Sequence, residues 1–205
     1  MFRVLTIARE YGSGGAFIGR RIADQLGWML LDKVFIEDIA RAANVDPQLA
    51  RRLDERTDSW LERLGRQGLW RGALEGMALV GQPDVFDAGT MAALAQTMIE
   101  EAHQRGNCVI VGRGAQCVLK GREDAFHVFI YAPWAERVAR IQRRLPDKTD
   151  IEDLIRAMDR QRGDYIRTYF GCNWMDPHLY HLMISSQLGE DQVESTIIEA
   201  LASGG

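Results

Sequence analysis

The chain has 205 residues, 46% of them hydrophobic, and a formal net charge of only −4. A chain of this length can bury one sizeable core but is short for two ordinary domains, so we expect a single domain over residues 1–205. The nearly balanced charge argues against a nucleic-acid-binding protein, and no uninterrupted apolar run is long enough to predict a membrane span.

The cysteines give no sign of a metal or redox motif. Cys108, Cys117 and Cys172 are few, odd in number and widely spaced, which favours reduced thiols in a cytosolic protein. The opening MFRVLTIARE has the pattern of a strand rather than of a secretion signal. Together these features predict a cytoplasmic location.

Short apolar runs alternate along the chain with segments of helical periodicity. Strands are predicted at 3–8, 28–32, 108–111, 126–131 and 181–186. Helices are predicted at 18–26, 33–43, 46–56, 89–105, 134–145, 150–169 and 190–202, with broken helices in 57–88. Alternation of this kind predicts an α/β fold, in which helices cover both faces of a parallel sheet.

A glycine-rich loop, AREYGSGGAFIG, connects the first predicted strand to the first predicted helix. Such turns expose backbone N–H groups at the positive end of a helix, an arrangement that suits phosphate. We therefore predict that Gly12, Ser13, Gly14 and Gly15 hold a phosphate group. The alternative is a tight structural turn that binds nothing.

The loop departs from the usual phosphate-loop pattern G-x-x-x-x-G-K-[ST]. Arg9 stands at the first glycine, Gly15 at the lysine and Ala16 at the Ser/Thr. The lysine would contact the outer phosphates and the hydroxyl would hold magnesium. Both chemical roles therefore need other residues.

Candidates for the two roles lie nearby in the sequence. The positive charge could come from Arg9, Arg20 or Arg21, although the last two could equally be solvated helix residues. Glu10 or Asp32 could organise a hydrated magnesium ion. Asp32 ends the second predicted strand, where ligands gather in parallel sheets, but it could instead cap the next helix.

The segment LTIAREYGSGGAFIGRRIADQLG resembles the opening of the cytidylate kinase-like proteins, relatives of the cytidylate kinases with an altered loop. The segment DYIRTYFGCNWMDPHLYHLMIS is also similar to this family. The resemblance extends over most of the chain and is weakest at 45–100. It implies a three-layer P-loop kinase fold with a central parallel sheet and a helical inserted region at 45–105 that binds the acceptor.

Two further segments carry the resemblance to cytidylate kinases. VIVGRGA is similar to a strand followed by G-R-D, which implies that Arg113 grips the acceptor phosphate, with Gly114 in place of the aspartate. RQRGDYIR resembles R-D-x-x-D-S-x-R, which implies that Arg160, Asp164 and Arg167 contact base, sugar and phosphates. An ion pair of Asp164 with either arginine of its helix is the competing interpretation.

Basic residues also accumulate in the two helices after residue 133. In monophosphate kinases a lid over ATP occupies this place, so the resemblance implies a lid-like segment at 143–165 with Arg143 and Arg144 contacting ATP. The alternative is a pair of solvated basic helices. His178 and His181 are three apart but have no evident third ligand, so a metal site there is not predicted.

The resemblance implies an ATP-dependent kinase that uses magnesium and phosphorylates a nucleoside monophosphate, with CMP as the expected acceptor. Two alternatives stay open: a catalytically weak or inactive nucleotide-binding regulatory protein, and a kinase of a non-nucleotide small molecule. The expected partners are small-molecule phosphate acceptors, without nucleic acid or membrane. A homodimer is left open.

Overall fold

The structure, a computed structural model, describes residues 1–32 and 88–204. The helices predicted at 33–43 and 46–56 lie outside the described residues, as do the broken helices of 57–88 apart from residue 88. So does most of the predicted acceptor-binding insert.

Within the described residues, five parallel strands form one sheet in the order β2-β3-β1-β4-β5. The strands are β1 (Val4–Arg9), β2 (Met29–Leu31), β3 (Cys108–Val111), β4 (Ala125–Tyr131) and β5 (Leu182–Ser185). The central strand β1 pairs with β3 on one side and with β4 on the other, with Val4 opposite Cys108 and Ala125. The strands predicted from short apolar runs are confirmed, with small shifts at their ends.

The helices of the described residues also match the predicted order. They are α1 (Gly15–Leu26), α2 (Ala88–Arg105), α3 (Ala115–Val118), α4 (Trp134–Arg144), α5 (Ile151–Phe170) and α6 (Glu190–Ser203). The short α3 was not predicted, because a single turn is too short to show helical periodicity. Within these ranges no helix has both the length and the apolar character needed to cross a bilayer.

The sheet is buried on both faces. On one face, Leu5 and Ile7 of β1 pack in a core cluster with Ile18 of α1 and Ile197 of α6. The opposite face is covered by α2 and α5. There Cys108 Sγ lies 3.4 Å from the Ala102 carbonyl oxygen, and a second cluster joins Ala8, Phe129, Ile166 and Trp174. The three-layer α/β architecture is therefore confirmed.

The connections between strands run to opposite sides of β1. From β1 it passes through α1 to β2, beyond β3, whereas β3 leads to β4 on the other side of β1. The carboxyl ends of β1 and β3 therefore border the crevice in which open parallel sheets bind ligands. Gly112 lies at this edge and its N–H donates to the Ile7 carbonyl at 3.0 Å.

Candidate phosphate-binding site

The loop between β1 and α1 adopts a tight turn that depends on its glycines. Gly12 and Gly14 have φ values of +87° and +84°, a left-handed region that other residues adopt only at a cost. The buried Ser13 hydroxyl donates to the Glu10 carbonyl at 2.9 Å and lies 3.4 Å from the Gly15 nitrogen. These contacts explain why α1 begins directly at Gly15 rather than at the later residue predicted from periodicity.

Several backbone donors of the loop remain available to a ligand. Among the described residues, no acceptor pairs with the N–H groups of Gly12, Gly14 and Ala16. These donors lie at the N-terminus of a twelve-residue helix, where the helix dipole adds partial positive charge. Consecutive N–H groups in a turn with left-handed residues form an anion-binding concavity. The loop therefore has the donors that a phosphate group requires.

Helices α4 and α5 fix the backbone on one side of this loop. Arg137 Nε donates to the Tyr11 carbonyl at 2.8 Å, and Asp159 Oδ1 accepts from the Tyr11 N–H at 2.8 Å. Arg137 also pairs with Asp159 and lies 3.2 Å from a Glu10 oxygen. The side chain of Arg137 is only 6% exposed, so both carboxylates compensate a buried charge.

A second arginine of α4 lies against the middle of the loop. Arg140 Nη1 donates to the Gly12 carbonyl at 3.1 Å, and its Nη2 lies 3.6 Å from a Glu190 oxygen. A Cβ atom on Gly14 would come within 2.7 Å of the same guanidinium group. The loop is thus tied to α4 at two successive residues and to α6 through Arg140.

The side chain of Arg9 fills the space that the lysine would need. A Cβ atom on Gly15 would lie 2.7 Å from Arg9 Cβ, and a Cβ atom on Gly112 would collide with Arg9 Nη1. The arginine therefore runs from the start of α1 to the end of β3. Arg162 Nη1 of α5 donates to the Arg9 carbonyl at 3.1 Å, so α5 contacts the same point.

Positive charge is concentrated around Arg9. Burial, and then the charges of Arg162 and Arg113, lower the pKa of Arg9 to about 9, whereas the charge of Asp32 opposes the shift. Burial also lowers the pKa of Arg162. Guanidinium groups that disfavour one another's charge are stabilised by an anion between them. The cluster at the ends of β1 and β3 therefore favours binding of a negatively charged group.

Arg113 lies in an unusual backbone conformation. Its φ is +56°, between Gly112 at +81° and Gly114 at +77°, and a non-glycine residue there stores roughly 1–2 kcal/mol of strain. A Cβ atom on Gly114 would collide with the Phe170 ring, which explains why the expected aspartate is absent. Strained residues of this kind are frequent at ligand sites.

The other predicted residues of α5 line a separate cleft of about 670 Å³. Arg160, Asp164 and Arg167 lie along it, with Trp174 on its wall. Arg167 donates to Asp164 at 2.5 Å. In this structure the two residues therefore form the ion pair within the helix that was the competing interpretation. Asp159 also lines this cleft, which therefore borders the loop.

Two of the three arginines considered as replacements for the lysine are engaged elsewhere. Arg20, which is 61% exposed, lies 3.3 Å from Asp32. Arg21 pairs with two carboxylates of α6 at 2.6 and 2.7 Å. Of these three candidates, only Arg9 reaches across the loop.

Arg143 and Arg144 lie exposed in the last turn of α4. Neither contacts the loop within the described residues. Their contact with ATP, and the lid-like role of 143–165, stay predictions.

The side-chain oxygen atoms of the described residues in and near the loop do not form a magnesium site. Ser13 Oγ is occupied by loop backbone groups, and the Glu10 carboxylate binds Arg137 and the Ala132 N–H. Asp32 pairs with an arginine, and no group of three His, Cys, Asp or Glu residues that could hold a metal occurs in the described ranges. The role of Asp32 as a metal ligand stays a prediction without a described second ligand.

Four residues whose side chains contact the loop were not predicted as site residues: Arg137, Arg140, Asp159 and Arg162. The stripe of α5 that carries buried Ile155 and Ile166 also carries Asp159 and Arg162 at helical spacing. Arg137 occupies a similarly buried position on α4. Charged residues within an apolar stripe were the available signal, because such groups need a partner when buried.

The sequence model of the cytidylate kinase-like family matches residues 4–188. Two curated cytidylate kinases match over 87 residues: that of Methanosarcina mazei is 33% identical and that of Methanosarcina acetivorans 30%. Each match covers 42% of this chain and 48% of the relative. The chain therefore spans about half the length of the curated relatives it matches.

Two solved structures agree with the fold. An uncharacterized protein from Eubacterium ventriosum has a TM-score of 0.69 at 19% identity, with 98% of both chains covered. Shikimate kinase from Acinetobacter baumannii, in complex with shikimate, has a TM-score of 0.50 at 14% identity, with 99% of this chain and 94% of that chain covered. The chain has the α/β P-loop kinase fold and belongs to the cytidylate kinase-like family.

Proposed function

We propose that this protein is a kinase that transfers the γ-phosphoryl group of ATP to a nucleoside monophosphate, with CMP as the first acceptor to test. The observation that carries the proposal is the set of N–H groups of Gly12, Gly14 and Ala16, which have no acceptor in the described part of the chain, beside the arginines at the sheet edge. Membership of the cytidylate kinase-like family supports it.

Phosphoryl transfer requires in-line positioning and positive charge rather than covalent help from the protein. In this proposal the loop holds the donor phosphates, and Arg113 at the end of β3 holds the acceptor phosphate. Arg160 and Arg167 bind substrate in the adjoining cleft. Asp164 accepts a ribose hydroxyl there once its pair with Arg167 opens.

The residues fit ATP better than they fit a protein-bound magnesium ion. ATP brings the phosphates that the loop donors and arginines can hold. Magnesium would neutralise charge on the nucleotide's oxygens, with Asp32 as the predicted carboxylate that organises its water shell. The position next to Gly15 is Ala16, so the loop itself offers no hydroxyl ligand.

The proposal is tested by measuring CDP formation from ATP, magnesium and CMP with the purified protein. The cytidylate kinase of Methanosarcina mazei serves as the active reference. Arg113→Met should lower kcat/KM for CMP by about tenfold to a hundredfold, the loss expected for a charged phosphate contact. Arg122→Met is the matched control, because Arg122 is exposed just before β4, at the opposite edge of the sheet. Absence of CDP while the reference enzyme is active would reject the proposal.

A panel of acceptors separates the nucleotide proposal from a kinase of another small molecule. Shikimate belongs in the panel, because the fold is shared with a shikimate kinase. ADP release with a non-nucleotide acceptor alone would replace CMP as the substrate.

The main rival is a nucleotide-binding regulatory protein without turnover. Its specific support is Gly15 and Ala16, which remove the lysine and the hydroxyl of an ordinary loop. It predicts saturable ATP binding in calorimetry together with no product from any acceptor. Failure to bind any nucleotide would exclude it. The cytoplasmic location stays a prediction, and a homodimer stays open.

A further inference from the structure

Arg9 and Gly15 replace the first glycine and the lysine of the usual phosphate loop, and the two replacements depend on each other. Arg9 Cβ and Cγ would lie 2.7 and 3.2 Å from a Cβ atom on Gly15. Separations below 3 Å do not occur between real side chains without movement of one of them. A lysine at position 15 and an arginine at position 9 therefore cannot share this space, and the glycine at 15 makes room for the arginine at 9.

The charge of Arg9 is balanced differently from that of the arginines that fix the loop. Arg137 has two carboxylate partners, Glu10 and Asp159. Among the residues described, no hydrogen bond or ion pair is made by the Arg9 guanidinium group. The charge of Asp32 opposes the lowering of the Arg9 pKa, but Asp32 also pairs with an arginine of α1. A partly buried cation in this setting favours a negatively charged ligand.

Arg162 places a second guanidinium group next to the first. Its Nη1 donates to the Arg9 carbonyl, and the same Nη1 lies 3.6 Å from Asp159. Its pair with Asp159 is therefore loose, which leaves other N–H groups of the guanidinium for a ligand. Guanidinium groups present planar pairs of donors that match phosphate oxygens, whereas a lysine offers a point charge.

We propose that Arg9, with Arg162 beside it, holds the polyphosphate chain of a nucleoside triphosphate in place of the missing lysine, and does so without a bound metal ion. The proposal rests on the loop being the phosphate site of the proposed kinase. The arginines supply fixed positive charge where an ordinary loop uses lysine and a hydroxyl-bound magnesium. The chemistry recognised is the phosphate chain itself.

The test is calorimetric titration of the full chain with ATP, inorganic tripolyphosphate and adenosine, each in excess EDTA and in excess magnesium. We expect ATP and tripolyphosphate to bind in EDTA within about threefold of their affinity in magnesium, and adenosine to bind much more weakly. Arg9→Met and Arg162→Met should each weaken tripolyphosphate binding by about tenfold to a hundredfold. Arg122→Met should leave it unchanged. Binding only in magnesium, or equal binding by Arg9→Met and Arg122→Met, would overturn the proposal.

Two further variants distinguish a loss of phosphate binding from a loss of folding. Arg9→Lys keeps the charge and should bind between wild type and Arg9→Met, provided its thermal midpoint is close to wild type. The double variant Arg9→Gly with Gly15→Lys restores the usual order of the two residues. When folded, it should recover most of the affinity lost by Arg9→Gly alone. A folded double variant that binds no better than Arg9→Gly would contradict the inference that Arg9 takes the place of a lysine at position 15.

Turnover distinguishes this proposal from the proposed function. Binding that depends on Arg9 without any product would reject the kinase and retain the arginine site. Product formation with an unchanged kcat/KM for ATP in Arg9→Met would retain the kinase and reject the arginine site.

Discussion

Asp159 connects the loop to both arginine-bearing helices, so its removal should weaken the contacts of both helices with the loop. It accepts the Tyr11 N–H at 2.8 Å, pairs with the nearly buried Arg137 and lies 3.6 Å from Arg162. Asp159→Ala removes these interactions together. Asp159→Asn keeps an oxygen for Tyr11 but removes the charge that compensates the arginines.

The magnitude follows from burial. The Asp159 side chain is 19% exposed and that of Arg137 only 6%, and breaking a buried pair typically costs about 3–5 kcal/mol. Glu10 remains 3.2 Å from Arg137, so the loss should lie at the lower end. We expect Asp159→Ala to lower the free energy of unfolding by about 3 kcal/mol and Asp159→Asn by about 2 kcal/mol.

The assay is urea unfolding, read as the free energy extrapolated to water. Asp153→Asn is the control on the same helix, because its pair with Arg156 at 3.3 Å involves side chains that are 85% and 53% exposed. Exposed pairs of this type contribute below about 1 kcal/mol. A loss for Asp159→Asn equal to that of Asp153→Asn would refute the view that this carboxylate holds the loop.

Three further variants probe the sheet and its edges. Gly114→Asp should lower the thermal midpoint much more than Gly121→Asp, because both glycines have left-handed φ values but only Gly114 faces the Phe170 ring; equal shifts would show that the ring moves aside freely. Gly19→Ala should lower the free energy of unfolding by about 1–3 kcal/mol by overpacking, because its Cβ would lie 2.8 Å from a β3 side chain; a gain in stability would mean that helix propensity prevails. Burial, and then a neighbouring histidine, lower the pKa of His127 to about 4. The unfolded chain then binds a proton at His127 more readily than the folded chain. The contribution of neutral His127 to the free energy of unfolding is therefore present above about pH 6.5, and this free energy should fall by about 2 kcal/mol by pH 5. His127→Gln should remove that slope in urea unfolding at the two pH values, and an unchanged slope would assign it to other groups.

The sheet could be predicted because its strands have unambiguous patterns. CVIV at 108–111 is apolar throughout and bounded by turn residues, as expected of a strand buried on both faces. The position of the glycine loop between a strand and a helix was likewise evident from the order of the segments. Both features depend on local sequence, so they needed no knowledge of tertiary contacts.

The choice among the arginines could not be made from the sequence. Within the described ranges Arg162 contacts the loop whereas Arg143 and Arg144 do not, although all belong to the same two helices. That difference is set by which side of α5 and α4 faces the sheet edge, and it depends on packing between distant segments. The space taken by Phe170 opposite Gly114 is also a contact between distant residues.

The contacts that Arg137 and Arg140 make with the carbonyl groups of Tyr11 and Gly12 have an energetic consequence for binding. A loop that must fold around its ligand loses conformational entropy on binding, which weakens affinity. Here the turn is already ordered by α4, whose own position is fixed through Asp159 of α5. An incoming phosphate therefore meets donors in their final positions, and its binding enthalpy is not offset by ordering the loop.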